Sequence, residues 1–381
     1  MNKKVLIITE GWAGSGHRMA AVALQQVLQE QAETEVVLLE GLMNVNPLLR
    51  ELSRISYLQT IQHFPRGWEF LYQRGQLWHS LLKKPLGKYL GKRMHDRVIR
   101  LERPDVVVLT HAYCLAALAE TKRQLAQPFQ LVVVVTDFHV NPFWIHEQVD
   151  RYVVPHESIG EELSIRHGIS KHHIHTYGIP LRPAFAHEAQ VSKREWKQRV
   201  GLDPDRFTVL ISGGEGGYGA IRKIVRCLAA HDRSLQLVVI TGKNKQLYRE
   251  LQQESKLDNL PLLLLGYVEK MWQWIGAADV YISKPGGITC AEALALGTPL
   301  IFYQPLPGQE QKNCQFFLEQ RWAVHAASEQ HILQIIRRWQ AEPSLRLNLS
   351  EQMRLAARPD AAYRTAEMIG QLATRNWHCE A

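Results

Sequence analysis

The sequence predicts an α/β protein of two Rossmann-like domains, each built on a parallel sheet. Three observations predict this fold class. Short β-branched runs alternate with helical stretches, a proline-punctuated stretch at 178–185 interrupts the alternation, and each half opens with a strand that runs into a glycine-rich turn and a helix. A chain of 381 residues, 46% of them hydrophobic, is long enough to give each domain its own core.

The first predicted domain covers residues 1–185. Continuous apolar runs are typical of strands that are buried on both faces, as in a parallel sheet flanked by helices. Five such runs occur here: "KVLIIT" (4–9), "EVVLLE" (35–40), "DVVVLT" (105–110), "LVVVVTD" (131–137) and "RYVVP" (151–155). The stretch "GIPLRPAF" (178–185) ends the pattern and is therefore the predicted linker.

The second predicted domain covers residues 186–359. Its strand signals are "FTVLIS" from 207, "LQLVVITG" from 235, "LPLLLLGYV" from 260, "ADVYIS" from 278 and "PLIFYQP" from 299. A C-terminal helix at 360–381 follows, and it could cross back onto the first domain.

The positive charge of the chain lies in one segment. Between Arg50 and Arg100 there are eleven Lys or Arg and three acids, which accounts for the whole formal charge of +8. Aromatic residues lie among these cations, and this mixture favours contact with anionic lipid, although nucleic acid or a plain solvated helix face would also fit. The residues predicted to contact the membrane are Trp68, Trp78, Lys83, Lys84, Lys88, Lys92 and Arg93.

Cysteine usage and hydropathy indicate the compartment. The five cysteines are scattered and never spaced as CxxC, which argues against a disulfide frame and a zinc site and favours a reducing cytosol. The longest apolar runs, such as "LVVVV" at 131–135, have the length of strands rather than of membrane spans. We therefore expect a cytoplasmic protein.

Two glycine-rich turns, "GWAGSGH" (11–17) and "SGGEGGYG" (212–219), each follow a predicted strand. Backbone N–H groups and the positive end of the next helix can bind an anion at such a turn. No GK[ST] follows, so neither is a Walker loop, and a single turn of this kind is often only a tight connection. One in each domain favours a ligand held between the domains, with a diphosphate at Gly213, Gly214, Glu215, Gly216 and Gly217.

The stretch "SKPGGITCAEALALGTPLIFYQPLPGQEQKN" (283–313) indicates a strand, a turn with paired glycines, a helix, a strand and a proline-bounded polar loop. A helix glutamate such as Glu292 can accept hydrogen bonds from both hydroxyls of a ribose, and adjacent Gln and Glu can do so for a hexose. An exposed helix residue and a solvated loop are the alternative. The candidates for donor binding are Gly286, Gly287, Thr289, Glu292, Gln309, Glu310 and Asn313.

These motifs resemble those of the processive diacylglycerol glycosyltransferases and monogalactosyldiacylglycerol synthases, relatives of the peptidoglycan lipid-linked N-acetylglucosaminyltransferase. The shared patterns are "KPGG-T-AEAL--G-P", "PGQE--N", the "G-GH---A--L" of the first turn, and "VTD----W-H--VD-Y-V" at 135–154. They occur in order over nearly the whole chain.

The resemblance implies a GT-B fold, in which two Rossmann-like domains with parallel sheets face each other across a cleft. It implies an inverting glycosyltransferase that moves a hexose from UDP-glucose or UDP-galactose to diacylglycerol or a glycosyldiacylglycerol. The acceptor would bind mainly to the first domain, the nucleotide sugar to the second, and the protein would lie peripherally on the inner face of the cell membrane, without nucleic acid as a partner. A different lipid or hydrophobic acceptor, and a UDP-N-acetylglucosamine 2-epimerase, are the alternatives.

Inverting transfer needs a base for the proton of the acceptor hydroxyl, and the resemblance assigns this role to His17. The positive end of a helix lowers a histidine pKa and so keeps the ring neutral and able to accept a proton. Asp137 could orient or assist the histidine, Gly14 and Gly16 would let the acceptor approach, and Trp144 is placed on the acceptor side. This scheme needs neither a metal nor another cofactor, and "DPD" at 203–205 is expected to form a turn.

Overall fold

The computed structural model describes residues 3–31, 34–63, 87–126, 128–254 and 261–374. Within these ranges the strands form two six-stranded sheets in which all pairs are parallel. The chain divides into unit 1, Met1–Pro183 with Pro359–Ala381, and unit 2, Ala184–Arg358. The predicted α/β class with two parallel sheets is confirmed.

Unit 1 contains the first sheet, with the strand order β2-β1-β3-β4-β5-β6. Val5 of the central strand lies opposite Val36 on one side and Val106 on the other, and helices cover both faces, so the central strands are fully buried. The strands are β1 (Lys3–Thr9), β2 (Thr34–Glu40), β3 (Val106–Leu109), β4 (Gln130–Val134), β5 (Arg151–Val154) and β6 (Ile174–Thr176).

The helices of unit 1 connect these strands. They are α1 (Ser15–Gln29), α2 (Gly41–Val45), α3 (Pro47–His63), α4 (87–102, with a π-helical segment at His95–Ile99), α5 (Leu115–Gln124) and α6 (Glu157–His167). Short 3-10 helices occur at Gly11–Ala13, Ala112–Cys114, Pro142–Trp144 and Lys171–His173. The first three of them lie beyond the carboxyl ends of β1, β3 and β4, where the candidate site is found.

Unit 2 contains the second sheet, with the order β12-β11-β10-β7-β8-β9. Its strands are β7 (Thr208–Ser212), β8 (Gln236–Ile240), β9 (Leu262–Leu265), β10 (Val280–Ser283), β11 (Leu300–Tyr303) and β12 (Ala323–Ala326). Its helices are α7 (Pro183–His187, which begins at the boundary), α8 (Lys193–Arg199), α9 (Ile221–His231), α10 (Lys245–Gln252), α11 (Met271–Ala277), α12 (Gly287–Leu296), α13 (Gln309–Glu319), α14 (Glu329–Ala341) and α15 (Pro343–Ala356).

The last described helix, α16 (Ala361–Thr374), belongs to unit 1 rather than to unit 2. It packs against α1 and against β1, β3 and β4. Ala362, Ala366 and Ile369 are fully buried there, in one core with Leu24 and Leu28 of α1. Small side chains on one face of α16 allow this close approach to the sheet.

The sequence reading missed β6 and β12. Both are edge strands, and their segments "IHT" and "AVHA" are only partly buried. His175 and His325 interrupt these short segments, which therefore lack the continuous apolar run that marks a central strand. Among the described residues, no helix combines the length and the hydropathy needed to cross a bilayer.

Candidate active site

Each sheet has one point at which its strand order reverses. In unit 1 this point lies between β1 and β3, and in unit 2 between β7 and β10. The connections on either side of such a point run over opposite faces of the sheet, so a crevice opens beyond the carboxyl ends of the two strands, and α/β proteins bind their ligands there. The residues that follow β1, β3, β7 and β10 are therefore the first candidates.

In unit 1 a chain of buried threonines joins the strand ends at this point. The Thr110 hydroxyl donates to Thr9 Oγ1 at 2.9 Å, and the Thr136 hydroxyl lies 3.3 Å from the Thr110 carbonyl oxygen. All three threonines are almost completely buried. They fix the backbone directly before three ionisable residues, Glu10, His111 and Asp137.

His17 lies in the first turn of α1 and contacts this threonine chain. Its Nδ1 is 3.1 Å from the Thr110 carbonyl oxygen and 2.6 Å from Thr136 Oγ1. A carbonyl oxygen can only accept a hydrogen bond, so the contact with Thr110 favours the neutral tautomer in which Nδ1 carries the proton and the lone pair is on Nε2.

Burial decides the charge of His17. The residue is 8% exposed, and desolvation lowers its pKa from 6.5 to about 4, against the smaller opposing effect of the Thr110 carbonyl. The ring is therefore neutral at physiological pH, and Nε2 can accept a proton from a hydroxyl group.

His111 stands against His17, with the ring centroids 4.5 Å apart and the rings nearly perpendicular. Burial, and next the charge that His17 could carry, hold the pKa of His111 well below its usual range. Its ring also packs near Trp12, Tyr113 and Trp144, at centroid distances of 6.4, 6.0 and 6.4 Å. His17 is thus bordered by aromatic surface and by a second neutral imidazole.

Glu10, directly after β1, holds this aromatic surface in place. Its carboxylate accepts hydrogen bonds from Trp12 Nε1 at 2.6 Å and from the Leu42 amide at the start of α2 at 2.7 Å. Burial raises the pKa of Glu10, although these hydrogen bonds act in the opposite direction. The geometry gives Glu10 a structural contact with Trp12 rather than one with a substrate.

The other residues predicted for unit 1 lie along the same edge. Asp137 is buried and follows Thr136, and it is Thr136 that makes the contact with His17 Nδ1. Trp144 is buried beside His111. Gly14 is exposed before α1 with φ at +135°, a conformation that side-chain-bearing residues rarely adopt, and Gly16 lies in the first turn of the helix.

In unit 2 the glycine-rich loop follows β7 and leads to α9. Several of its amides are bonded inside the loop: Gly217 N–H donates to the Gly214 carbonyl at 3.0 Å and Tyr218 N–H to the Gly213 carbonyl at 3.1 Å, while Gly214 N–H donates to Ser212 Oγ at 3.3 Å. Gly217 has φ at +58°, and a Cβ there would collide with the Thr241 carbonyl. Glycine is therefore required by the fold of the loop itself, and these three amides do not serve a ligand in this conformation.

The predicted "KPGG" turn connects β10 to α12, and Gly286 and Gly287 form the beginning of that helix. The Ser283 hydroxyl donates to the Ser212 carbonyl at 3.0 Å and joins the ends of β10 and β7. Thr289 and Glu292 are half-buried and, three positions apart, share one face of α12. The turn and this face lie at the reversal point of the second sheet.

The expectation of a polar loop at 309–313 was wrong. Gln309, Glu310 and Asn313 belong to α13, which begins directly after Gly308, where φ is +90°. Glu310 is favourable in a first helical turn because the helix N-terminus attracts negative charge. Asn313 is fully buried, and its amide donates to the Pro285 carbonyl at 3.0 Å, so it holds the "KPGG" turn.

Of the residues predicted to contact the membrane, Trp68, Trp78, Lys83 and Lys84 lie outside the described residues. Lys88 and Lys92 are exposed on α4, and Arg93 packs over the half-exposed Tyr89 ring, 4.7 Å from its centroid. The opposite face of α4 is buried through Leu90 and other residues. These three cations therefore form a basic outer face of α4.

The "DPD" segment forms a turn in which each carboxylate pairs with an arginine. Asp203 Oδ1 accepts from the Asp205 amide at 3.0 Å, Arg206 contacts Asp203 at 3.2 Å and Arg194 contacts Asp205 at 2.6 Å. Across the described part of the chain, no group of three or more His, Cys, Asp or Glu is arranged to hold a metal ion.

Sequence reasoning missed four residues of the unit 1 site: Glu10, Thr110, His111 and Thr136. A signal was present, because at the carboxyl ends of the central strands β1, β3 and β4 a threonine precedes an ionisable residue, in "IITE", "VLTH" and "VVTD". In a parallel sheet such pairs meet at one edge. In unit 2, Lys284 was missed in the same way, as the residue directly after β10.

Comparison with known proteins agrees with this arrangement. Residues 17–181 match the family described as monogalactosyldiacylglycerol (MGDG) synthase, and residues 208–360 match the glycosyltransferase family 28 C-terminal domain. The processive diacylglycerol beta-glucosyltransferase of Bacillus pumilus is 30% identical over 336 residues, which cover 88% of this chain and 86% of that protein.

Two solved structures share the fold. MurG of Acinetobacter baumannii superposes with a TM-score of 0.64 at 14% identity, covering 97% of this chain and 99% of MurG. The UDP-GlcNAc 2-epimerase of Neisseria meningitidis, bound to UDP-GlcNAc, superposes with a TM-score of 0.59 at 13% identity, covering 97% of this chain and all of that chain. At these identities the likeness shows the architecture alone.

Proposed function

The chain belongs to the family of processive diacylglycerol beta-glucosyltransferases, and from this premise we propose that it transfers glucose from UDP-glucose to the free hydroxyl of diacylglycerol. The sugar follows the name of the sequence relative, and a UDP-sugar donor is consistent with the UDP-GlcNAc bound by one structural neighbour. Transfer would proceed with inversion, so that an α-linked donor gives a β-glucoside.

Unit 2 would bind the donor at the reversal point of its sheet. Glu292 would accept hydrogen bonds from the ribose hydroxyls, and Gln309 and Glu310 would contact the hexose. The beginning of α12 would add the positive end of its helix dipole near the diphosphate. The proposal assigns no metal, because this dipole and the adjacent Lys284 would offset the charge of the leaving UDP.

Unit 1 would supply the base. The acceptor oxygen attacks C1 of the sugar, the bond between C1 and the phosphate oxygen breaks with its electron pair leaving on UDP, and the hydroxyl proton passes to His17 Nε2. The observation that supports this role is the contact from Nδ1 to the Thr110 carbonyl, which favours the tautomer with the lone pair on Nε2 in a buried, neutral ring. The aromatic surface around His111 would suit an acceptor with a largely apolar body.

We propose that the protein works as a peripheral protein on the inner face of the cell membrane. Lys88, Lys92 and Arg93 on α4 support contact with anionic lipid, since cations near such a surface are attracted to it.

The test is direct. Purified protein is incubated with radiolabelled UDP-glucose or UDP-galactose and with vesicles that contain diacylglycerol, and the lipid product is analysed by mass spectrometry and by the anomeric coupling constant. We expect label from UDP-glucose in a β-linked glycolipid. Label only from UDP-galactose would overturn the assigned sugar, and transfer only to other lipids would overturn the assigned acceptor.

A further inference from the structure

Lys284 is a cation at the reversal point of the second sheet. It is the first residue after β10, and its side chain is 14% exposed. Its Nζ lies 5.4 Å from the centroid of the Tyr218 ring, and its stem runs beside Gly219. Lys284 therefore stands next to the glycine-rich loop, where the diphosphate of a donor is proposed to bind.

The partner of Lys284 is Glu310, at the beginning of α13. Lys284 Nζ and Glu310 Oε1 are 3.0 Å apart, and Glu310 Oε2 accepts a hydrogen bond from the Leu306 amide at 2.8 Å. The Glu310 side chain is 19% exposed. Each carboxylate oxygen thus has one partner, and the ion pair with Lys284 competes with a hexose hydroxyl for Oε1.

A positive group beside the loop would add to the attraction of its backbone amides for a diphosphate. The amides of Gly214, Gly217 and Tyr218 are bonded within the loop. Lys243 also lies at the loop, paired with Glu215, but its side chain is 66% exposed and therefore well screened by water. Lys284 is far less solvated, so its attraction for an anion is stronger.

Resting on the proposed function, we propose that Lys284 exchanges partners when the donor binds. In the structure it is neutralised by Glu310. On binding, Lys284 moves to the diphosphate, and the released Glu310 oxygen accepts a hydrogen bond from a hexose hydroxyl. Each group that loses its partner gains another: Lys284 gains an anionic phosphate, and Glu310 gains a neutral hydroxyl donor. The exchange links recognition of the diphosphate to recognition of the sugar.

The proposal predicts that removing a donor-site carboxylate increases the affinity for UDP. Glu310→Gln removes the competing carboxylate but keeps an oxygen for the Leu306 amide. Lys284 is then available from the outset, so UDP alone should bind about fivefold tighter, the size expected for loss of a partly solvated ion pair. Turnover with UDP-glucose should fall, because the hydrogen bond from the hexose hydroxyl to the Glu310 carboxylate is lost.

The experiment is calorimetric titration with UDP of the parent, Glu310→Gln, Lys284→Met and the double variant. Lys284→Met should weaken UDP binding about tenfold. In the Lys284→Met background, Glu310→Gln should change the UDP affinity less than about twofold, because the gain operates through the lysine. Lys284→Arg, which retains the charge, should keep the response to Glu310→Gln. Glu250→Gln, which breaks the ion pair with Arg222 in the same unit, is the matched control and should leave UDP affinity unchanged.

Unchanged or weaker UDP binding by Glu310→Gln would overturn the exchange, as would an equal gain in the Lys284→Met background, which would indicate direct repulsion between Glu310 and UDP. If Lys284→Met does not fold, judged by circular dichroism, Lys284→Gln, which also lacks the positive charge, decides in its place. Parent protein that does not bind UDP would overturn the donor assignment itself, an outcome distinct from failure of the exchange alone.

Discussion

The reversal points of the two sheets have the same backbone arrangement but differ in the chemistry of their side chains. In each unit a hydroxyl group joins the ends of the two central strands, Thr110 to Thr9 in unit 1 and Ser283 to Ser212 in unit 2. In each, a glycine-containing turn after the first strand of the unit leads towards a helix. The backbone thus provides the same kind of crevice twice.

The side chains that follow the strands make the two edges opposite in character. In unit 1 burial drives His17 and His111 to their neutral forms and favours the neutral form of Glu10, and aromatic rings surround them. In unit 2 the ionisable groups form ion pairs, Lys284 with Glu310 and Lys243 with Glu215. The first edge therefore suits proton transfer from the hydroxyl of an apolar acceptor, and the second suits a multiply charged donor.

Removing the proposed base should give the largest difference between the two reversal points, since turnover should fall while UDP binding is retained. We expect His17→Ala to lower turnover about a hundredfold or more, the usual contribution of a positioned base, while UDP binding by unit 2 stays near normal. Steady-state rates and calorimetry on the same preparation measure both quantities. A variant that retains most of its activity would transfer the role to Asp137 or to solvent.

The lowered pKa of the buried His17 predicts that the stability of the fold depends on pH. Folding lowers the pKa of His17 from 6.5 to about 4, so the unfolded chain binds more protons in that window, and stability is lost as the pH falls through it. Between about pH 8 and about pH 4.5 this one group should cost about 2 to 3 kcal/mol. His17→Gln lacks the linkage, and its free energy of unfolding in urea should fall by that much less. Equal losses in parent and variant would mean that His17 is solvated.

Donor binding should depend on unit 2 alone. Glu292→Ala should weaken UDP binding about tenfold to a hundredfold, because a hydrogen bond to a charged group is lost. Glu319→Ala, at the opposite end of α13 from Gln309, is the control and should bind UDP as the parent does. Unchanged UDP affinity in folded Glu292→Ala would remove this residue from the donor site.

The smallest expected effect concerns the membrane. Replacing Lys88, Lys92 and Arg93 with Gln should lower binding to vesicles rich in phosphatidylglycerol about tenfold, and added salt should reduce the difference, since screening acts over about 8 Å at physiological ionic strength. The matched triple variant replaces exposed cations elsewhere in unit 1, Arg123, Arg166 and Lys171. If the α4 variant sediments with anionic vesicles as well as the parent, α4 does not dock on the membrane.

Much of the fold could be read from the sequence because burial on both faces leaves a direct mark. Ten strands were predicted from continuous apolar runs, and the two missed strands, β6 and β12, are short, partly exposed edge strands that each contain a histidine. The beginning of α13 was mistaken for a loop because Gln309 and Glu310 are polar, whereas their polarity reflects a helix N-terminus. The apolar pattern of a segment reflects its burial, so the pattern is weakest in segments that are partly exposed to water.

The sequence by itself determined the α/β class, the two glycine-rich turns, the family resemblance and the identity of His17 as the candidate base. Only the tertiary structure decided the protonation state of His17. Its partners Thr110 and Thr136 are 93 and 119 positions away, and its burial depends on the elements packed around it. The same holds for Lys284, whose partner Glu310 is 26 positions away. Protonation state and ion pairing depend on distance through space and on access of water, and neither quantity is a function of position along the chain.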